Sequence, residues 1–583
     1  LVAVNAKYIH SNPGIYSLKA YAERQMERDP SDALRKREIS VELGEYTINN
    51  QMGDILKDIY LRKPDMVGFS CYIWNISWVM ELVRDLPLVL PEVEIWLGGP
   101  EVSYDAADVL QREPGVTGIM MGEGEETFLE VLKLYADGRR DFSSIDGVAC
   151  RNEKGEPVIR PLKKAVDMSA IPFPYEDLDD FEHKIVYYES SRGCPFSCSY
   201  CLSSLDKSVR FRSMELVKRE LDFFLERRVP QVKFVDRTFN CSRKHTMEIW
   251  RHITEHDNGV TNFHFEISAD LLDEEELELM AEMRPGLIQL EIGVQSTNPD
   301  TIREIRRKTD LNRLKSVVER IHGFGNIHCH LDLIAGLPYE GYESFRNSFN
   351  EVYEMKPDQL QLGFLKVLKG SFMAENAKAY GLVYSAKQPY EVLGTKWLDY
   401  GSLLKLKGVE EMVEVYYNSR QFSYCLRKLE EEYASPFVLY QGLGRYYENH
   451  ELHLMSHSRI TRYEILLGFI REKHKERESL CRELLTFDLY LRENVKNRPE
   501  FAGEHEVSKD WLNAFYETES KEHQYLIGYE AYDKRQLRKM THIEKFHYDV
   551  LGTCEEKENF ILFDYQNRSR LTHQAAVTEV ETE

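Results

Sequence analysis

The chain has 583 residues, of which 42% are hydrophobic and 11% aromatic, a formal charge of −23 and ten cysteines. Length and composition predict several folded domains of roughly 100–200 residues each and exclude a disordered chain. The acidic balance argues against bulk nucleic acid as a partner, the scattered cysteines exclude a secreted disulfide framework, and no apolar run reaches the ~20 residues of a membrane span. The opening LVAVNAKYIH has no basic head or small-residue cleavage site of a signal peptide, so a cytoplasmic protein is expected. It also begins without Met, which leaves room for residues ahead of Leu1.

In the first region, short apolar runs such as DMVGFSCYIW and VEIWLGG alternate with helical patterns such as SWVMELVRDLPLVL, which Pro91 should stop. That alternation predicts α/β architecture: a doubly wound, Rossmann-like or flavodoxin-like parallel sheet over 1–162. Ligands of such sheets sit over the carboxyl ends of the strands, and FSCYIWN, GGPEVSYD and MGEGEETF fall there. Residues 163–180, with Pro172, Pro174 and a following acidic run, have the composition of a linker.

Directly after the apolar run KIVYY comes SSRGCPFSCSYCLSS, with Cys194, Cys198 and Cys201 in C-x3-C-x2-C spacing. Zinc sites usually supply four ligands in two pairs, and no second pair follows. Four thiolates normally hold a [4Fe-4S] cluster, so three leave one iron open to an outside ligand. Downstream, VKFVD, FHFEIS, LIQLEIGVQS, CHLDLIAGLP and QLQLGFL alternate with charged helices and predict a partial (β/α)6 TIM-type barrel over 181–372. Polar residues at its strand ends are the functional candidates. The basic run REIRRK, Arg303 to Lys308, reads as a solvated helix face, and Glu340 as an acidic residue opening the next helix. Residues 373–583 turn to Tyr-rich helical patterns; KFHYDVL and NFILFDYQN are expected to form a hairpin, followed by a polar, frayed tail.

The cysteine loop, with Tyr200 before its last Cys, resembles the radical S-adenosylmethionine motif. GGPEVSYD and GEGEETF resemble the cobalamin-binding domain at the front of many such enzymes, and the last region looks like the C-terminal domain of unknown function found in one subset. The resemblance implies a [4Fe-4S] cluster on Cys194, Cys198 and Cys201, whose open iron is chelated by S-adenosylmethionine. It also implies contacts to S-adenosylmethionine from Tyr200, Asp236, Glu266, Gln295 and Ser296, and a cobalamin bordered by Ser70, Gly98, Gly99, Gly122 and Glu123. Where related enzymes often hold an Arg that pairs with the methionyl carboxylate, this chain has Ser268, which leaves the clamp unassigned. Cobalamin domains with D-x-H-x-x-G place a His on cobalt; here Tyr8 stands for the Asp and His10 is the only early histidine, so no imidazole on cobalt is expected. The implied activity is methylation of an unactivated carbon, with radical rearrangement, cyclisation or lyase chemistry as the alternative and a non-catalytic sensor as a third reading. A reducing protein such as flavodoxin or ferredoxin is the implied partner. Methylthiolation of transfer RNA is disfavoured, because such enzymes carry further cluster cysteines and a basic appendage.

Overall fold

The computed structural model describes residues 1–28 and 39–581, so the last two residues of the expected C-terminal domain lie outside it. Seven strands form the first sheet: β1 Val2–Asn5, β2 Gly44–Thr47, β3 Met66–Ser70, β4 Glu94–Gly98, β5 Val116–Met120, β6 Val148–Arg151 and β7 Pro157–Ile159. Their order is β2-β1-β3-β4-β5-β6-β7. The first five pair in parallel, while β6 and β7 add antiparallel strands to one edge. Val67, Phe69, Ile95 and Leu97 pack with Val79, Leu82 and Leu86 of helix Ile76–Val89. Trp96 points to the other face, into a core with Phe128 and Leu132 of helix Glu125–Ala136. Burial on both faces explains why these strands read as continuous apolar runs.

The connecting segment is packed rather than free. Val166, Met168 and Ile171 belong to the core of the first domain, and Tyr175 and Phe181 to the core of the next. Its prolines set an extended path, and its apolar residues between them fasten that path to both bodies.

β8 Val186–Tyr188 opens the second sheet; a short ribbon of β9 Ser191–Arg192 and β10 Arg210–Phe211 follows it. Then come β11 Gln231–Phe234, β12 Asn262–Ile267, β13 Ile288–Gln295, β14 His328–Ala335 and β15 Gln359–Phe364. The six strands are parallel and ordered β15-β14-β13-β12-β11-β8, an open barrel whose edges β8 and β15 do not pair. Amphipathic helices Met214–Glu226, Arg243–Glu255 and Leu311–Phe324 cover its outside.

Beyond a two-strand ribbon, β16 Val383–Tyr384 and β17 Val392–Gly394, the chain is helical to Met540. The expected hairpin is present as β18 Thr541–Tyr548 and β19 Glu556–Arg568. The tail differs from expectation: residues 575–580 form β20 Ala575–Val580, antiparallel to β19, rather than fraying. Val580, 4% exposed, packs in a small core with Leu512 and Leu537 and pins the strand. Among the described residues no helix is long and apolar enough to cross a membrane.

Candidate functional site

The three cysteines sit on the loop that leaves β9. Gly193 starts it at φ +97°, and a Cβ there would lie 2.5 Å from the Ser208 carbonyl oxygen, so only glycine allows this turn. The Cys194 amide donates to the Asp206 carbonyl at 3.0 Å, and the Ser199 amide to Ile305 O at 2.9 Å, which ties the loop to the chain after β13. Cys194 and Cys198 are buried and Cys201 is half-buried; all three are free thiols. Burial pushes the Cys198 thiol up, and the adjacent Arg307 pulls it down while Cys201 and Cys194 push it up again. The sequence thus brings the three sulfurs into one electrostatic neighbourhood. Cys241, buried enough that its thiol rises to about 11, also senses Cys194.

Arg307 is the residue that sequence reasoning placed wrongly. Helix Pro299–Glu304 ends early, Arg306 takes φ +56°, and this left-handed step turns Arg307 inward instead of leaving it on a solvated face. Its guanidinium donates to the Gly293 carbonyl and, at 3.4 Å, to the Tyr200 hydroxyl, and lies 3.9 Å from Cys198 Sγ. Its Nε is buried without a partner. A second buried, unpartnered atom is Gln295 Oε1, on a residue held at φ +72° where the β13–β14 register slips. Left-handed backbone at a non-glycine costs of order 1–3 kcal/mol and is retained where the surroundings impose it, typically at ligand sites.

Other expected contacts are placed differently. Asp236 is fully buried; it accepts from the Ser190 amide at 3.0 Å, from Ser190 Oγ at 2.9 Å and from Ser191 Oγ. Burial pushes its carboxyl up to about 6 against those donors. It therefore fastens the strand that leads into the cysteine loop and offers no open face. Ser296 is also sealed, because its hydroxyl donates to Glu340 Oε1 at 2.7 Å. Glu340 in turn does not open a helix: it is fully buried ahead of Tyr342–Glu354 and also accepts from Ser348 at 3.0 Å. Glu266 faces the barrel interior, where burial and Glu291 push it up to about 7. Ser268 spends its hydroxyl on Asp270 at 2.7 Å.

The barrel interior itself is polar, which the sequence reading missed. Lys233 and His264 both reach Glu291 Oε2 at 3.0 Å, and Gln289 meets His330 at 2.9 Å. Above them Asp332 carries an unpartnered Oδ1, and burial, Glu291 and Glu266 push its carboxyl up to about 8. The signal was legible: His264 and Glu266, Gln289 and Glu291, His330 and Asp332, and Gln359 and Gln361 alternate with apolar residues on four neighbouring strands. Three unligated thiols, a buried guanidinium with a spare N–H, and an unpartnered amide oxygen fit a cluster with S-adenosylmethionine beside it.

At the rim of the first sheet, Glu123, expected to border cobalamin, joins domains, as do neighbouring acids of the same two loops. Glu123 accepts from the Val166 amide at 2.8 Å and pairs with Arg210, on the ribbon flanking the cysteine loop. Arg192 of that ribbon holds the buried Glu125 at 2.9 Å. On the other side Glu101 accepts from Tyr390 Oη at 2.8 Å and Asp105 from Lys369 at 2.9 Å, so the acids of GGPEVSYD anchor the segment after the barrel. Gly99 has φ +108°, and a Cβ there would lie 2.5 Å from the Cys71 carbonyl oxygen, which makes it a demand of the fold itself. A Gly99→Ala protein is expected to be destabilised by about 1–3 kcal/mol from the backbone alone. A thermal midpoint equal to the parent's would contradict this.

Three rim positions remain for a cofactor. A Cβ at Gly98 would meet nothing closer than Met120 O at 3.6 Å; Gly122 has φ +74° with only Leu162 within reach; and Ser70 Oγ accepts from Asn12 Nδ2 at 3.0 Å. These fit the close backbone approach of a large planar group. His10 Nδ1 lies 2.6 Å from Tyr187 Oη on β8.

Comparison with known proteins finds three family models along the chain: B12 binding domain at residues 1–132, Radical SAM superfamily at 188–352 and a protein of unknown function, DUF4080, at 378–563. The first two imply cobalamin, a [4Fe-4S] cluster and S-adenosylmethionine as cofactors, and the radical SAM domain implies a need for a reductant and a substrate. Among curated relatives, the cobalamin-dependent radical SAM methyltransferase TokK of Streptomyces tokunonensis is 26% identical over 352 residues, covering 56% of this chain and 51% of that one. The anaerobic magnesium-protoporphyrin IX monomethyl ester cyclase of Rubrivivax gelatinosus is 23% identical over 312 residues, covering 51% and 55%. The chain thus spans about half the length of these relatives. The structure of the cobalamin-dependent S-adenosylmethionine radical enzyme OxsB with aqua-cobalamin bound matches with a TM-score of 0.57 at 15% identity, over 86% of this chain and 82% of that one, and shows a shared fold.

Proposed function

We propose that this chain, in which a B12 binding domain, a radical SAM domain and a DUF4080 domain follow one another, is a cytoplasmic cobalamin-dependent radical S-adenosylmethionine enzyme that methylates an unactivated carbon. The observation that carries the reading is the loop of three free thiols, the middle one 3.9 Å from Arg307, beside a polar barrel. Bound together, the cluster and S-adenosylmethionine supply reductive cleavage of the sulfonium, and cobalamin carries the methyl group.

Cys194, Cys198 and Cys201 hold the cluster, and Asp236 positions them by fastening Ser190 and Ser191. Arg307, rather than a residue at 268, clamps the methionyl carboxylate with its spare N–H, next to Tyr200 and the Gln295 amide. Burial raises both Glu266, to about 7, and Asp332, to about 8, so each can hold a proton near neutral pH inside the barrel. Ser70, Gly98 and Gly122 would border cobalamin. A flavodoxin or ferredoxin delivers the electron.

Methyl transfer consumes one S-adenosylmethionine for the radical and another to remethylate cobalamin. With the true substrate under anaerobic turnover, 5′-deoxyadenosine and S-adenosylhomocysteine are expected in comparable amounts. 5′-Deoxyadenosine without S-adenosylhomocysteine would reject methyl transfer and favour the second reading, radical rearrangement, cyclisation or lyase chemistry, for which the match to the cyclase speaks.

A further inference from the structure

A cavity of about 760 Å³ lies on the open side of the barrel and is left unused by this reading. One wall is the end of the barrel: Ile334 of β14, Gly363 and Phe364 of β15, and Tyr200 of the cysteine loop. The other consists of two helices of the C-terminal domain, Tyr400–Met412 and Pro436–Asn449. The cavity therefore lies where the third domain covers the mouth beside the proposed cluster. Its volume is that of a pocket for a small molecule, at roughly 300–1,000 Å³.

The charge of the lining is unbalanced. Four carboxylates, Glu391, Glu410, Glu411 and Glu448, face two ammonium groups, Lys366 and Lys407. Lys407 is already paired with Glu391. Glu410 is half-buried, and burial first, then Glu414 and Glu411, push its carboxyl up. Glu410 sits half-buried beside the exposed Glu411, and an entering cation would relieve the repulsion between them. The same wall already accommodates one: Lys407 Nζ stands 5.1 Å from the centroid of the Phe364 ring. Leu362, Leu404 and Met412 supply apolar surface next to it.

We infer that this cavity is the substrate chamber and that it takes a small molecule bearing an amine, whose ammonium group is held by Glu410 with Glu411 while its apolar part lies along β15. The inference rests on the reading of the cysteine loop as the reacting centre, because Tyr200 forms part of the wall.

The test uses full-length, anaerobically reconstituted protein and three probes of one shape and different charge: 2-phenylethylamine, 2-phenylethanol and phenylacetate. Binding is measured by saturation-transfer NMR. The amine is expected to bind about tenfold more tightly than the alcohol, the scale of one charge-assisted hydrogen bond, and phenylacetate least. Glu410→Gln should bring amine and alcohol together, and Glu410→Lys should invert the order in favour of phenylacetate. Phenylacetate binding the parent as well as the amine does, no binding of the amine, or an amine preference untouched by both variants would overturn the inference. Iron content and 5′-deoxyadenosine formation of the parent, measured on the same sample, report on the radical reading separately. Cleavage activity without amine preference sinks only the chamber; amine preference without a cluster sinks only the radical reading.

Discussion

Anaerobically reconstituted Cys198→Ala protein is expected to lose the iron–sulfur absorbance and all 5′-deoxyadenosine formation together. Cys198 is the middle thiol of the loop, 8% exposed, electrostatically linked to both Cys194 and Cys201, and 3.9 Å from the Arg307 guanidinium that favours its thiolate. A [4Fe-4S] cubane held by three thiolates has no ligand to spare, so the parent should bind about four irons per chain and the variant close to none. Cys241 provides the control. It lies near enough to Cys194 to raise its own thiol, yet it comes from the turn Phe239–Cys241 of a different barrel segment. Cys241→Ser should retain the cluster and its response to S-adenosylmethionine. If Cys241→Ser loses iron as Cys198→Ala does, four thiols close the cluster and no open iron exists.

The second large effect is expected at Arg307. Removing a hydrogen-bonding partner of a charged group costs about 1.5–3 kcal/mol, roughly ten- to a hundredfold in binding. Arg307→Ala should weaken S-adenosylmethionine by that factor and leave the iron content unchanged, because the cluster's ligands come from another loop. Arg307→Lys should restore little, since an ammonium cannot bond the Gly293 carbonyl and Tyr200 while also presenting the flat fork that matches a carboxylate. Equilibrium binding of S-adenosylmethionine by the reconstituted variants decides it. Affinity equal to the parent's in Arg307→Ala would show that the clamp lies elsewhere.

How far the sequence was legible depended on whether a residue's role was set locally. The strands of the first sheet are apolar on both faces and those of the barrel alternate apolar with polar, and both patterns announced themselves as strands in order, from KIVYY to QLQLGFL in the barrel. The cysteine loop was equally plain, because three ligands within eight positions need no knowledge of the fold. What failed were residues whose partner is distant in sequence. Glu123 and Glu101 look like a cofactor rim until Arg210 and Tyr390 are seen against them, 87 and 289 residues away. Arg307 looks like one more surface cation in REIRRK; the left-handed turn at Arg306 that reverses its direction has no glycine to signal it. Asp236 and Ser296 stand at strand ends, as expected of ligand contacts, but Ser190 and Glu340 already satisfy them. β20 escaped notice because only its ends, Ala575 and Val580, are buried, too sparse a pattern for a strand without knowledge of β19.

The central claim is a cluster with one iron open to S-adenosylmethionine. Paramagnetic resonance of the singly reduced parent protein, recorded with and without S-adenosylmethionine, tests it most directly. The account predicts one [4Fe-4S] signal whose g values shift when S-adenosylmethionine is added, as an outside ligand reaches the iron that Cys194, Cys198 and Cys201 leave free. A spectrum unchanged by a saturating amount of S-adenosylmethionine would contradict it.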